Sequence, residues 1–297
     1  MVEDDAMTAA VTSLLDEVLA VQPRGEGCFV SQPSPGAFDR LYGGQLLAQA
    51  LLAAAQTVPA ERLVNSMHAY YLRLGDPSSP VDYTVTNLRD SSSYSTRRVT
   101  VTQGERALAE VMISFHRGGV LMDHQQPMPS VAGPEDFLPR AEAIVRDLGD
   151  AAPANAGKGW PVEVRYGGRE PWNQNPGEPR NVLWMRIPGT LPDQPLVQAA
   201  ALAYSSDLVM FEVVISPSEI SWVDLVQGRG VFGSSLDHTI WFHRPFRADD
   251  WLLMTQESVA AAGSRGVSTG RFYNRDGLLV ASVAQEIGLT VADARRG

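Results

Sequence analysis

A carboxylate interrupts one of the most apolar stretches of this chain. Asp207 lies in AAALAYSSDLVMFEVVI, residues 199–215, which is predicted to form one buried helix. Its neighbours on the same face of that helix would be Ala203, Tyr204, Met210 and Phe211. None of them is cationic, and a carboxylate among apolar groups is costly unless it is hydrogen-bonded or its reactivity is used. Asp207 is therefore a candidate general base, and a core acid paired with a distant arginine is the alternative.

A second polar group is predicted to be buried near the end of the chain. In LLVASVAQEIGL, Gln285 alternates with Ala281, Val283 and Ile287 on one face of a strand, where it is the only polar side chain. A buried amide needs hydrogen-bond partners, as Asp207 does. Gln285 is therefore either a satisfied core amide or part of the same site.

Two glycines open the other long apolar segment, GGQLLAQALLAAAQTV, residues 43–58. The first N–H groups of a helix have no partner within the helix and carry the positive end of its dipole. Gly43 and Gly44, with Gln45 next to them, are therefore candidates to bind an oxyanion or the substrate. Close packing of the helix is the alternative explanation for two glycines here.

The elements that must position these residues occur twice. The uncharged helix at 43–58 is followed by a series of strand-like runs, and a second apolar helix at 195–215 is followed by a similar series. When MHAYYL is laid over DHTIWF, His68 matches His238, and Gln285 falls near Met112. The first helix contains no acid. We therefore expect one site per chain, built mainly by the second half.

This duplication predicts an α+β fold with two tandem antiparallel sheets, each wrapped around a long apolar helix. The first repeat is placed at residues 1–118, and the second, which would carry the site, at residues 159–297. Residues 119–158 form a predicted linker with a short surface helix in PEDFLPRAEAIVRDLG. His68 and His238 are expected to be core or strand-pairing residues, because a site confined to one half does not need both.

Composition narrows the classes of function. Hydrophobic residues make up 44% of the 297 residues and charged residues 20%, which is typical of a globular protein. The net charge of −10 argues against a nucleic-acid partner. The sequence shows no GxSxG elbow between a strand and a helix, no GxGxxG that opens a helix after a strand, no P-loop and no metal-binding pattern, so neither a cofactor nor a metal is expected. The acidic first ten residues and the lack of a long apolar run predict a cytoplasmic protein without a secretory signal or a membrane span.

Several specific motifs are spread over nearly the whole chain. They are YGGQLLAQAL, HAYYLRLGD and LRDSSSYSTRRV in the first half, and YSSDL, SLDHTIWFHRPFRADDWLL, GSRGVSTGRFYNRDG and VASVAQE in the second. Together they closely resemble the type II acyl-CoA thioesterases, a family that includes bacterial TesB and the peroxisomal enzyme of animals. The resemblance implies a double hotdog fold. It also implies a cofactor-free hydrolase that converts fatty acyl-CoA to free fatty acid and CoA, as a homodimer or homotetramer.

The same resemblance implies a catalytic trio. By motif it falls on Asp207 in YSSDL, Ser235 in SLDH and Gln285 in VAQE. The three would hold and activate a water that attacks the thioester carbonyl, with Ser235 orienting that water and not acting as the nucleophile. Burial is expected to raise the pKa of Asp207 and to improve it as a base near neutral pH. The segment after AQE, IGLTV, replaces the Gly-rich basic tail usual in relatives, which leaves the substrate preference open.

Four arginines, Arg97, Arg98, Arg244 and Arg265, are candidates to bind the CoA phosphates, although a solvated surface arginine is the commoner situation. Two other functions were weighed. A non-catalytic acyl-CoA-binding protein on the same fold is expected to lack one of the trio. A hotdog hydratase needs an Asp/His pair facing one substrate, whereas Asp237 and His238 are adjacent on a strand and point to opposite faces.

Overall fold

One antiparallel sheet of thirteen strands dominates the computed structural model, which describes residues 13–33, 40–119, 121–153, 160–173 and 176–291. The strands of the first half are β1 (Gln22–Gly25), β2 (Cys28–Ser31), β3 (Leu63–Tyr71), β4 (Val81–Asp90), β5 (Tyr94–Gln103) and β6 (Arg106–His116). Those of the second half are β7 (Glu163–Tyr166), β8 (Arg180–Arg186), β9 (Val231–Ser235), β10 (Asp237–Phe242), β11 (Leu252–Ala262), β12 (Arg265–Tyr273) and β13 (Leu279–Val291).

Five α-helices are present in the described ranges. They are α1 (Gly43–Ala55), α2 (Arg140–Leu148), α3 (Pro195–Ser206), α4 (Glu212–Ile215) and α5 (Trp222–Val226). Helical turns of other types lie at Ser13–Val18, Pro134–Asp136 and Gly149–Ala151. The helix α2 falls within the segment predicted as a linker. In the described residues, no helix has both the length and the apolar character that crossing a bilayer requires.

The strand order repeats the duplication that the sequence predicts. It runs β1-β2-β4-β5-β6-β3 in the first half and continues β10-β13-β12-β11-β8-β7 in the second, with β9 paired to β13. The second series is the first one in reverse, so the halves are related about the junction of β3 and β10. These two strands pair antiparallel, with Thr239 opposite His68. The two predicted sheets are therefore joined into one continuous sheet.

The two long helices pack against each other on one side of this sheet. Ten of the thirteen residues of α1 and nine of the twelve residues of α3 are buried, which agrees with their apolar sequences. The two helices approach each other very closely at Gly44, because a Cβ there would overlap the carbonyl oxygen of Tyr204. The hydroxyl of Tyr42 also donates to that oxygen at 2.7 Å. The start of α1 is thereby held against the end of α3.

The expectation of one helix over residues 199–215 is wrong. The helix α3 ends at Ser206, Asp207 is its C-cap, and α4 begins only at Glu212. Ser205 and Ser206 donate their hydroxyls to the carbonyls of Ala201 and Ala203, and such local bonds compete with the helical pattern. Asp207 therefore does not project from the middle of a helix, and its surroundings are set by other parts of the chain.

The overlay of the two repeats is out of phase. His238 is completely buried, whereas His68 lies on the exposed face of β3. Gln285 is buried, whereas Met112 is 39% exposed. Each pair therefore combines an inward residue with an outward one, because a shift of one residue in a strand exchanges the two faces.

Candidate active site

Asp207 lies where the two long helices meet. It caps the C-terminus of α3 and is 8% exposed. A Cβ on Gly43 would stand only 2.7 Å from its Oδ2 atom, and the backbone amide of Gly44 hydrogen-bonds to the carboxylate. The negative end of α3 disfavours this charge, while the free amides at the start of α1 favour it. The first repeat therefore supplies the backbone that solvates an acid of the second.

A chain of hydrogen bonds connects Asp207 to the core of the second half. Ser235, the last residue of β9, donates its hydroxyl to Asp207 Oδ1 at 3.3 Å. The Nε2 amide of Gln285 donates to Ser235 Oγ at 2.7 Å, and Gln285 Oε1 bonds to His238 Nδ1 at 2.6 Å. His238 Nε2 in turn bonds to Ser206 Oγ at 2.9 Å. The structure thus brings together all three members of the predicted trio.

His238 orients the amide of Gln285. Because Gln285 Oε1 can only accept, His238 Nδ1 must carry the proton of their hydrogen bond. This contact directs the NH2 group of Gln285 towards Ser235 and Asp207. His238 Nδ1 itself lies 3.9 Å from Asp207 Oδ1. The neighbouring Asp237 faces the other way and accepts the backbone N–H of Glu286 at 2.7 Å, so the two residues are separated as the strand alternation predicts.

Burial raises the pKa of the Asp207 carboxyl above its ordinary value of 3.8. Four groups oppose this rise: the nearby ring of His238, the amide of Gly44, and the hydrogen bonds from Ser235 and Gln285. The net shift is upward because desolvation is the largest cause. The carboxyl is therefore a stronger base than an exposed aspartate, as expected from its apolar sequence context.

A cavity of about 1200 Å³ opens beside Asp207 and Ser235. One part of its wall is apolar and includes Leu46, Ile144, Val162, Val164, Leu208 and Phe211. The lining also contains Arg40, Arg73, Arg165 and Arg186, of which Arg165 and Arg186 are paired with Glu163. Gly43 and Tyr71 also line it, next to the carboxylate. A cavity lined by both apolar and cationic side chains suits a ligand that is partly apolar and partly anionic.

The three residues proposed from the start of α1 have different surroundings. Gly43 lines the cavity, whereas the amide of Gly44 is engaged by Asp207 and is not available to an oxyanion. Gln45 is buried, and its Nε2 atom makes no hydrogen bond to the described residues. Both glycines also permit the close contact of α1 with α3, so the packing explanation holds as well.

Arg97 is neither a surface arginine nor placed to bind phosphate. It is 2% exposed, and its guanidinium contacts Asp90, Asn87 and Thr57 inside the first half. The lining of the cavity does not include it. Arg97 and the exposed Arg98 are neighbours on β5, and successive side chains of a strand point to opposite faces, so Arg97 lies on the inner face. Composition alone does not reveal this.

The other arginines of the prediction remain on the surface or near it. Arg265 is exposed and lies 3.6 Å from Glu286, outside the cavity lining. Arg244 is paired with Asp123. The arginines that do line the cavity are ones that sequence reasoning did not single out. Arg40 and Arg73 carry no recognisable motif, and only the tertiary structure places them together.

Sequence reasoning also missed His238, Ser206 and Tyr71 as parts of the site. The alternation of buried His238 with buried Ile240 and exposed Trp241 was a usable signal, because it points the histidine to the same side as the core. Ser206 directly precedes Asp207 but had no distinguishing pattern. Tyr71 belongs to the other repeat, and nothing in the sequence connects it with Asp207.

Comparison with known proteins agrees with this geometry. Residues 31–116 match the family described as acyl-CoA thioesterase N-terminal domain, and residues 155–288 match the acyl-CoA thioesterase family. Human acyl-coenzyme A thioesterase 8 is 35% identical over 285 residues, which are 92% of this chain and 88% of that protein.

Two solved structures extend the likeness to the fold. The tesB protein of Mycobacterium avium subsp. paratuberculosis has a TM-score of 0.75 and 31% identity, and the match covers 94% of this chain and 99% of that one. A hot dog fold protein of Alicyclobacillus acidocaldarius has a TM-score of 0.72 at 19% identity, covering 93% and 97% of the two chains. The predicted double hotdog fold is confirmed, and the chain belongs to the type II, TesB-like family of acyl-CoA thioesterases.

Proposed function

We propose that this protein hydrolyses fatty acyl-CoA to a free fatty acid and CoA, with Asp207 as the general base. The observation that carries the proposal is a buried carboxylate on the wall of a large cavity, hydrogen-bonded by Ser235 and solvated by the start of α1. The names of the relatives support the thioester substrate, and the local chemistry supports the roles of the residues.

The reaction needs one positioned water. Asp207 accepts a proton from this water as the water oxygen bonds to the thioester carbonyl carbon, and the carbonyl π pair moves onto its oxygen. When that pair returns, the carbon–sulfur bond breaks and the CoA thiolate leaves. The thiolate then takes up the proton that Asp207 received. A thioester is activated enough for a base and a held water to suffice.

Ser235 and Gln285 are proposed to orient the carboxylate and the water. The hydroxyl of Ser235 is directed to Asp207 and accepts from Gln285, while the imidazole of His238 bonds to Gln285 and Ser206. Ser235 therefore has no histidine bonded to it that would make it a nucleophile of the Ser–His type. The second N–H of Gln285 is directed to the Asp207 carboxylate, so Gln285 helps to orient the base.

The CoA portion is proposed to bind at Arg40 and Arg73. Both line the cavity and are exposed. Arg40 donates only to the carbonyl of Gly233, and Arg73 only to that of Ala107, so within the described residues neither is paired with a carboxylate. In a protein with a net charge of −10, two such cations at one cavity favour a phosphate-bearing ligand.

The test is the release of CoA thiol from acyl-CoA substrates of short, medium and long chain, compared with the matching acyl-pantetheine thioesters, which lack the nucleotide phosphates. The double variant Arg40→Ala/Arg73→Ala is expected to raise KM for acyl-CoA about tenfold or more and to leave acyl-pantetheine hydrolysis unchanged. Arg98→Ala, an exposed arginine outside the cavity, is the control. No thiol release by the wild type would contradict the hydrolase and favour a non-catalytic acyl-CoA-binding protein.

We also propose that copies of this chain associate. Tyr70, Met112 and Trp241 are exposed on three neighbouring strands, β3, β6 and β10. These three exposed apolar and aromatic side chains support association of copies into a homodimer or homotetramer, which light scattering would measure. The cytoplasmic location stays a prediction from the sequence.

A further inference from the structure

The hydroxyl of Tyr71 is a buried polar atom without a partner in the wall of the active-site cavity. Tyr71 is the last residue of β3, and its backbone N–H donates to the carbonyl of Leu236 at 2.9 Å, next to Ser235. Its hydroxyl oxygen is buried and makes no hydrogen bond in the described part of the chain. Because buried hydroxyls are normally satisfied, this one is available to a ligand.

Tyr71 and Asp207 face the same small space. The point where a Cβ of Gly43 would stand is 2.9 Å from the Tyr71 hydroxyl and 2.7 Å from Asp207 Oδ2. The two oxygens are not hydrogen-bonded to each other. Gly43 therefore leaves room between them that any larger residue would fill. All three residues line the cavity, so a substrate reaching Asp207 also reaches the phenol.

The site requires a hydrogen-bond donor at this place. When water adds to the thioester, the carbonyl oxygen gains a full negative charge, which a site stabilises with donors aimed at it. The amide of Gly44, one of the donors expected from the sequence, is used by Asp207. We infer that Tyr71 donates its hydroxyl proton in a hydrogen bond to the thioester carbonyl oxygen and stabilises the oxyanion, an inference that rests on the proposed hydrolase function.

Electrostatics agree with the role of a donor. Burial, followed by the negative charges of Asp207 and Asp237, raises the pKa of Tyr71 well above its ordinary value of 10.0. The phenol is therefore protonated over the whole range in which an aspartate base works. The proton stays on Tyr71 throughout the reaction, because the leaving thiolate receives its proton from Asp207.

The variant Tyr71→Phe tests this role with little structural disturbance. It removes one oxygen that has no protein partner, so its melting temperature is expected to equal or exceed that of the wild type. Its kcat for acyl-CoA is expected to fall by about 10²–10³-fold, the usual loss for one oxyanion donor. Tyr70→Phe is the matched control, because Tyr70 is on the opposite face of the same strand and is 66% exposed.

Two CoA analogues separate oxyanion binding from packing. A trifluoromethyl ketone analogue, which adds water to form a tetrahedral centre, is expected to bind Tyr71→Phe about 10²-fold or more weakly than the wild type. A thioether analogue without the carbonyl oxygen is expected to bind both proteins equally. Wild-type kcat in Tyr71→Phe, or equal loss of affinity for both analogues, would overturn the inference. A wild type that releases no thiol would instead defeat the proposed function, and this inference with it.

Discussion

Replacing Asp207 with Asn tests two properties of the buried carboxylate, its effect on stability and its role as a general base. Asparagine keeps the shape of the side chain, and its single oxygen can still accept from Ser235, but it cannot take a proton from water. Loss of a general base reduces rates by about 10²–10⁴-fold. We expect Asp207→Asn to release CoA thiol at least ~100-fold more slowly, equivalent to about 2.7 kcal/mol of transition-state stabilisation.

The same variant is expected to change how stability depends on pH. Because burial raises the pKa of Asp207, the folded protein binds its proton more tightly than the unfolded chain, whose carboxyl titrates near 3.8. The stabilisation from this proton is fully present below the unfolded pKa and is lost as the pH rises through the folded pKa. Each unit of difference corresponds to about 1.4 kcal/mol.

Thermal melts of the wild type and Asp207→Asn between about pH 4 and about pH 8 measure this effect. The wild type is expected to gain stability relative to the variant on acidification, while its kcat/KM falls because the base becomes protonated. A stability difference that is constant over this range, or that changes in the opposite direction, would refute the claim that the fold holds Asp207 at a cost. Wild-type turnover in the variant would refute its role as the base.

Two further substitutions test the surroundings of the site. Gly43→Ala is expected to lower kcat about 10²-fold and the free energy of unfolding by about 1–3 kcal/mol, because the added methyl would overlap Asp207 and Tyr71. Gly119→Ala is the control, because a methyl group added at Gly119 would meet no other atom. Arg97→Ala is expected to lower the free energy of unfolding by about 1.5–3 kcal/mol and to leave kcat/KM for acyl-CoA unchanged, since its partners lie in the first half of the core. A selective rise in KM for acyl-CoA would instead indicate that Arg97 binds CoA.

The apolar helices and the strand alternation carry most of the information about the fold. Two long apolar helices, each followed by a similar series of strands, predict the duplicated sheet, because the periodicity of buried residues can be recognised in the sequence. The same periodicity singles out Asp207 and Gln285 as polar side chains on otherwise apolar faces. It also identifies the inner face of β13, where Gln285 is buried as expected.

Neither the end of α3 nor the inward-facing positions of the strands could be predicted reliably from hydropathy. The apolar run continues past Asp207, so nothing in its hydropathy marks the end of α3 at Ser206. The back-bonding of Ser205 and Ser206 and the contact with α1 decide that end. The alignment of the two repeats by sequence likewise matched the outward-facing His68 with the inward-facing His238. An error of one residue in a strand is enough to match opposite faces.

The sequence pattern determines which residues are buried and which of these buried residues are polar. What only the tertiary structure decides is which of those residues meet. Tyr71 and Gly43 come from the first repeat and Asp207 from the second, and they converge because the two helices pack end to start beside the β3–β10 junction. Arg40 and Arg73 reach the same cavity from the surface. Hydrogen bonds and charges act over a few ångströms in space, whereas Asp207 is separated from these residues of the first repeat by more than a hundred positions in sequence, so no local pattern can encode their contact.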